Sequence, residues 1–308
     1  MRDKIVVIGS LNYDIIMKLP HFPAPGENVL ADSVGFGAGG KGANQAVQSA
    51  KLGADTYMIG CVGKDHYGDV LLAKAESFGL NTEYIRRTDA PTGMGLVSAI
   101  TDGSVFAGIL KGANFAVTEK DVDRAADLMK EAYAVILQME IPQSVNEYAI
   151  EKAKECGARV ILNAAPAATI DEGALRSVDI LAVNEVEAGF YLGEIPADRE
   201  QGEKAAYELY QRYGCDTIVT LGRLGSVVCE QGQVTFIPPV PVEAVETTGA
   251  GDSYIGAVGC ALMHGKSLAE AGRYAAFCSA LTIQRIGAQD SMGTLEEVGE
   301  LIEEMSEK

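Results

Sequence analysis

Two glycine-rich stretches hold the side chains best placed to do chemistry. The first, GFGAGGKGANQAV at 35–47, sets Lys41 and Asn44 among glycines. Gly35, Gly40 and Lys41 have Walker-loop spacing, but Gly42 stands where a serine or threonine would hold magnesium. Gly35, Gly37 and Gly40 also fit a dinucleotide pattern, with Asp55 downstream. That pattern belongs in the first strand–helix turn, which IVVIGSLN occupies, and Asp55 precedes a strand where the ribose-binding acid should end one. A bare glycine hinge would need neither the lysine nor the asparagine. The stretch reads as a loop where backbone approaches a polar ligand, with Lys41 and Asn44 as donors and acceptors.

The second stretch, TTGAGDSYIGAVGCALMHG at 247–265, opens a helix with Ile255, Val258 and Leu262 at helical spacing. Free amides at Ala250, Gly251 and Asp252 would point out of its N-terminus, and with the helix dipole they form an anion site without a lysine. Asp252 alone could be a first-turn acid facing the dipole. With Gly249 and two threonines before it, it reads as a catalytic carboxylate beside an anion cradle.

These two stretches need a body to position them. Strand-like runs such as KIVVIGS, TYMIGCVG, YAVILQME, ARVILNAAPA, DILAVN and DTIVTLG alternate with helical runs such as GDVLLAKAESFG, TEKDVDRAADLMKEA and GEKAAYELYQRYG. Nearly continuous apolar strands separated by helices predict an α/β fold, a mostly parallel sheet with helix layers on both faces. Residues 13–37 and 93–110 break this rhythm with alternating patterns and no covering helices, and Thr-Asp-Gly-Ser marks a hairpin turn. They predict a small β lid on one α/β domain spanning 1–308.

A net charge of −18 argues against nucleic acid or anionic membranes as partners. Any polyanion must be bound by local amides or a few cations. Six cysteines without a C-x-x-C pair read as free thiols, and the N-terminal apolar run is too short for a signal peptide. No apolar stretch approaches ~20 residues. A reduced, cytoplasmic location is expected.

The two stretches, in this order and some two hundred residues apart, resemble the paired signatures of the PfkB family of sugar kinases. GSLNYD, FPAPGE, GGKGANQAV, LQMEIP, LNAAPA, VNEVEA, TLGRLG, TTGAGD and RIGAQDS extend the likeness nearly end to end. The resemblance implies transfer of the ATP γ-phosphoryl group to a sugar's primary hydroxyl, D-ribose O5 first. Fructose, deoxyribose, a nucleoside or an acidic sugar are alternative acceptors, and a non-catalytic sugar- or nucleotide-binding regulator is the alternative of another class. It further implies a sugar clamp of Asn12, Asp14, Gly40, Lys41 and Asn44. Glu140 would be a sugar-side or metal-linked carboxylate, or else an ordinary helix N-terminal acid. Asn184 and Glu187 would orient Mg²⁺ around the triphosphate, or merely cap their helix. Thr220, Gly222 and Gly225 would hold the nucleotide, and Asp252 would be the base, with Gly249, Ala250 and Gly251 around the phosphoryl group.

A monovalent cation, K⁺, would take Glu246, Thr248, Thr282, Arg285, Gly287 and Ser291. The family usually has aspartate where Glu246 stands, and the extra methylene puts K⁺ activation in question. Leu224 replaces a frequent basic residue, Ala276 a polar residue near the adenine, and Lys111 enters near the lid, where it is solvated or favours an anionic sugar. The uncovered face of the lid implies a homodimer.

Overall fold

The computed structural model describes residues 2–101 and 105–306. In chain order the strands are β1 Lys4–Ile8, β2 Asn12–Leu19, β3 Ser33–Gly39, β4 Asp55–Gly63, β5 Ile85–Thr88, β6 Gly93–Ile100 and β7 Val105–Leu110. They continue with β8 Ala132–Gln138, β9 Arg159–Asn163, β10 Ile180–Asn184, β11 Asp216–Thr220, β12 Ser226–Glu230 and β13 Gln233–Ile237. The main sheet runs β13-β12-β11-β10-β9-β8-β1-β4-β5. It is parallel from β5 to β11, and β12 and β13 add an antiparallel edge.

Alternation within KIVVI explains the three layers. Ile5 and Val7 join one core with Val47, Ile255, Val258 and Leu262, whereas Val6 and Ile8 join the other with Met129, Ile150 and Leu209. Burying such a side chain contributes roughly 1.5–3 kcal/mol, so a strand apolar on both faces is stable only between two helix layers. The run TEKDVDRAADLMKEA forms two short helices, Glu119–Arg124 and Ala126–Glu131, instead of one. The chain breaks at Ala125, whose buried methyl packs into the second core.

Strand order also locates the site. From β1 the chain builds outward through β4 and β5 on one side and through β8 to β11 on the other. Order therefore reverses between β1 and β8, and ligands of open parallel sheets bind beyond the carboxyl ends of the strands at such a point.

A separate four-stranded sheet, ordered β3-β2-β6-β7, combines the stretches expected to form the lid. β2–β3 and β6–β7 are antiparallel pairs, and β2–β6 joins them in parallel. The turn expected at Thr-Asp-Gly-Ser lies largely outside the described residues, since 102–104 fall there. The expected glycine loop is corrected: Gly35, Gly37 and Gly39 belong to β3, and the turn is confined to Gly40, with φ 89°. Gly37 and Gly39 pair with Asp14 and Asn12, so their missing side chains leave room on the face where Asp14 projects.

Candidate active site

The helix Lys41–Lys51 starts beside the carboxyl ends of β1 and β8, and Glu140 fastens it there. The Glu140 carboxylate accepts hydrogen bonds from the Ser10 hydroxyl and, at 3.1 Å, from Lys41 N–H. It thus caps the first amide of a helix remote in sequence. A Cβ at Gly42 would meet Ser10 N at 2.5 Å, so that glycine permits the close approach.

The late helix, Ala250–Met263, packs directly against this one. Its residues Asp252 to Leu262 are all buried, and a Cβ on Gly256 would lie 2.6 Å from Gln45 O. The absence of that Cβ brings Asp252 against the first helix. Asn44 Nδ2 donates to Asp252 Oδ2 at 2.9 Å, and Gln45 Nε2 donates to Oδ1, also at 2.9 Å. Gln138 Nε2 supports Gln45 Oε1 at 2.7 Å. A buried carboxylate left unpaired would be costly; here each oxygen has a donor.

Gly249 precedes the late helix at φ 79° and offers no side-chain cap. Ala250 N–H turns back to Thr247 O at 3.3 Å, which corrects the expectation that it is free. The amides of Gly251 and Asp252 follow as helix-start donors without an acceptor four residues back inside the helix. These two, rather than Ala250, are the amides left to meet an anion.

Lys41, Asn163, Asn184, Glu187, Thr220, Gly249, Gly251 and Asp252 line one cavity of about 230 Å³. The Asp252 carboxylate, then Glu140 and Glu187, raise the Lys41 pKa against its burial, so the ammonium stays charged. Burial raises the Glu187 pKa although Asn184 N–H and Lys41 oppose it. Asn184 and Glu187 form a reciprocal capping box: Glu187 Oε2 accepts from Asn184 N–H at 2.8 Å, and Asn184 Oδ1 accepts from Glu187 N–H at 3.0 Å. The helix-cap reading is thus present in the geometry, and the same residues also face the cavity.

A second cavity, about 570 Å³, shares Asn184, Thr220, Thr247 and Gly251 with the first and extends past Gly222 and Gly225. Its far wall is apolar, with Val240, Val242, Ala276, Ala280 and Ile283. Polar groups at one end and an apolar slot at the other match a nucleotide's triphosphate and base.

Asp14 lies in the lid floor. Its carboxyl is pushed up to about 7 by burial and then by the Glu140 charge, against a Gly95 backbone hydrogen bond. Cβ atoms on Gly39 or Gly95 would collide with its oxygens. Asn12 is buried and accepts from Asn114 Nδ2 at 2.7 Å.

Residues 2–295 match the pfkB family of carbohydrate kinases. The chain belongs to that family. It is 33% identical over 305 residues to the ribokinase of Haemophilus influenzae, covering 98% of this chain and 99% of that protein. Identity to the Staphylococcus aureus ribokinase is 35% over 306 residues, covering 98% and 100%. The structure of Arabidopsis thaliana ribokinase complexed with ribose and ATP superposes with a TM-score of 0.90 at 34% identity, covering 98% of this chain and 99% of that one.

In this pfkB-family kinase, most of the residues proposed for a cation bond to one another or to near neighbours. Glu246 Oε2 accepts Gly287 N–H at 2.9 Å, and Thr282 O accepts Arg285 N–H at 3.3 Å. The Arg285 guanidinium is on Glu297, the Ser291 hydroxyl donates to Ala288 O, and Thr248 is exposed. Lys111 lies over the Phe115 ring, 4.2 Å from its centroid. Sequence reading missed Ser10, Gln45, Asn114, Gln138, Asn163 and Gln289. The available signal was Gln45 and Gln48 in a helix of small residues, where a solvated polar face would need more charge.

The thiols are free, and all but Cys156 are buried. Among the described residues no helix is long and apolar enough to cross a membrane.

Proposed function

We propose that this carbohydrate kinase transfers the γ-phosphoryl group of ATP to O5 of D-ribose. The observation that carries the reading is the Asn44–Asp252 contact, which joins the lid-side helix to the amide-bearing N-terminus of the late helix. Relatives named as ribokinases and the neighbour complexed with ribose and ATP support this acceptor and donor. Asp252 takes the proton from the attacking hydroxyl. That oxygen bonds the γ-phosphorus as the bond to the ADP oxygen breaks. The Gly251 and Asp252 amides and the Lys41 ammonium stabilise charge on the phosphoryl oxygens. Asp14 accepts hydrogen bonds from sugar hydroxyls and orients the acceptor, while the lid excludes water.

The Glu187 carboxylate, buried and oriented by Asn184, suits Mg²⁺ held through water and triphosphate oxygens. The ion would neutralise charge on those oxygens. Glu246 reaches Gly287 N–H by itself, so we expect little stimulation by K⁺. ADP release measured over a panel of pentoses, hexoses and nucleosides, in potassium and in sodium buffers, tests both statements. Turnover with D-ribose above all other acceptors, similar in the two buffers, is expected. No ribose-dependent ADP release would overturn the acceptor assignment.

The lid also supports a homodimer. Strand register places Val34, Phe36, Leu96, Phe106 and Leu110 on the face opposite Asp14, and all five are exposed. An apolar sheet face of this kind is stable when covered, and a second copy offers the same surface for self-complementary pairing. Sedimentation equilibrium should give twice the chain mass, and Phe36→Asp should shift it towards the monomer. A wild-type monomer at all concentrations would refute the dimer.

A further inference from the structure

The catalytic carboxylate is held from behind as well as from the cavity. At the end of the helix Lys41–Lys51, the Lys51 ammonium donates to Gln289 O and Met292 O, each at 2.8 Å. It also lies over the Phe78 ring, 4.4 Å from the centroid. Lys74 approaches the same ring at 5.0 Å and pairs with Asp290 at 2.6 Å. Two lysines thus hold the loop that follows the helix Leu268–Ile283.

Side chains run inward from that loop to the base. Gln289, only 2% exposed, donates through Nε2 to Asn44 Oδ1 at 3.2 Å. Asn44 in turn donates to Asp252 Oδ2. A parallel route passes through Gln48, whose Nε2 donates to Gly293 O at 3.0 Å and whose Oε1 accepts from the Ser253 hydroxyl at 2.7 Å. The first route controls orientation. An asparagine amide can turn over, presenting oxygen where nitrogen had been. With Gln289 donating to Oδ1, the Asn44 amide is fixed with N–H towards the carboxylate. Turned over, it would place oxygen against carboxylate and nitrogen against nitrogen.

We propose that Lys51 and Gln289 are positioning residues for Asp252: Lys51 pins the backbone that carries Gln289, and Gln289 fixes the Asn44 amide that orients the base. Neither residue touches the acceptor or the nucleotide. Both act through Asn44. This inference rests on Asp252 being the base.

The full-length enzyme is assayed with D-ribose and ATP as Lys51→Met, Gln289→Met, the double variant and Lys51→Arg, each checked for cooperative thermal unfolding. Misplacing a catalytic group by about an ångström costs up to ~10²-fold, so both methionine variants should lose ~10–100-fold in kcat while KM for ribose stays within about threefold. Because they act on one chain of contacts, the double variant should be no worse than Gln289→Met alone. Lys51→Arg should recover most of the kcat. A merely structural role would lower stability without this split, non-additivity or rescue. Folded methionine variants with wild-type kcat would overturn the proposal, as would full additivity. If Lys51→Met does not fold, Gln289→Met, which leaves the lysine's backbone bonds intact, decides alone. Loss of activity in Asp252→Asn with unaffected Lys51 and Gln289 variants removes only this inference, whereas an active Asp252→Asn removes the base assignment itself.

Discussion

Asp252→Asn is expected to lower kcat by ~10²–10⁴-fold, the usual contribution of a general base, and to change KM for ribose far less. Steady-state kinetics with saturating ATP measure both. The asymmetry follows from position. In the proposed mechanism Asp252 meets the acceptor at the hydroxyl that reacts, whereas recognition of the remaining hydroxyls belongs to the lid floor. The substitution also has a cost outside catalysis. Both carboxylate oxygens accept from amide nitrogens, Asn44 on one side and Gln45 on the other. An asparagine at this position must turn its own NH₂ towards one of those donors. Asn44 cannot relieve the conflict by turning over while Gln289 donates to its oxygen. A buried donor left without an acceptor costs about 1–3 kcal/mol, so a few degrees of lowered Tm should accompany the kinetic loss. Asp252→Ala removes the donor–donor clash and should lose kcat to a similar extent. A variant of either kind with near-normal kcat would show that the proton leaves by another route.

Much of this architecture was legible because it rests on patterns that survive without tertiary information. After Lys4, the run IVVI is apolar at every position, and that continuity alone requires helices on both faces of β1. TTGAGD announces a helix start with open amides because small residues leave its N-terminus uncovered. Other features depend on pairings that no local pattern encodes. The glycines of 35–39 looked like a loop because sequence does not show that β3 pairs with β2 and leaves space for Asp14. The parallel β2–β6 pairing joins strands separated by residues 20–92. Gln138 and Gln289 were invisible for a different reason. Glutamine has no charge and no characteristic spacing, and with Gln45 these two form a network only when two helices, the strand ending at Gln138 and a distant loop converge on Asp252. Glu140 reads from sequence as a sugar-side or metal-linked carboxylate or else a helix N-terminal acid, but the helix whose first amide it accepts starts 99 residues earlier in the chain.

Asp14→Asn should reduce kcat/KM for ribose by ~10²–10⁴-fold, mostly through KM, because two charge-assisted hydrogen bonds of about 1.5–3 kcal/mol each are weakened or lost. The wild-type enzyme should show a related effect with pH. In the free protein the Asp14 carboxyl is pushed up to about 7, first by burial and then by Glu140. The ionised form accepts a charge-assisted hydrogen bond on each oxygen, whereas protonation removes the charge and turns one oxygen into a donor. Below pH ~7, KM for ribose should therefore rise by roughly tenfold per pH unit, the slope of a single proton competing with the sugar. Stability has the opposite sign. The folded protein holds this proton more tightly than an unfolded chain, where the ordinary value is 3.8. Proton binding thus favours the fold at low pH, and the contribution is lost as pH rises through about 7. At pH 8 the unliganded Asp14→Asn protein should melt higher than wild type, and added ribose should reverse that order by stabilising wild type more strongly. Isothermal titration of ribose between pH 5.5 and 8.5, with thermal melts at the same values, measures both trends. A ribose affinity independent of pH across that range would show that Asp14 is already ionised throughout, and that Glu140 and burial do not control the sugar site.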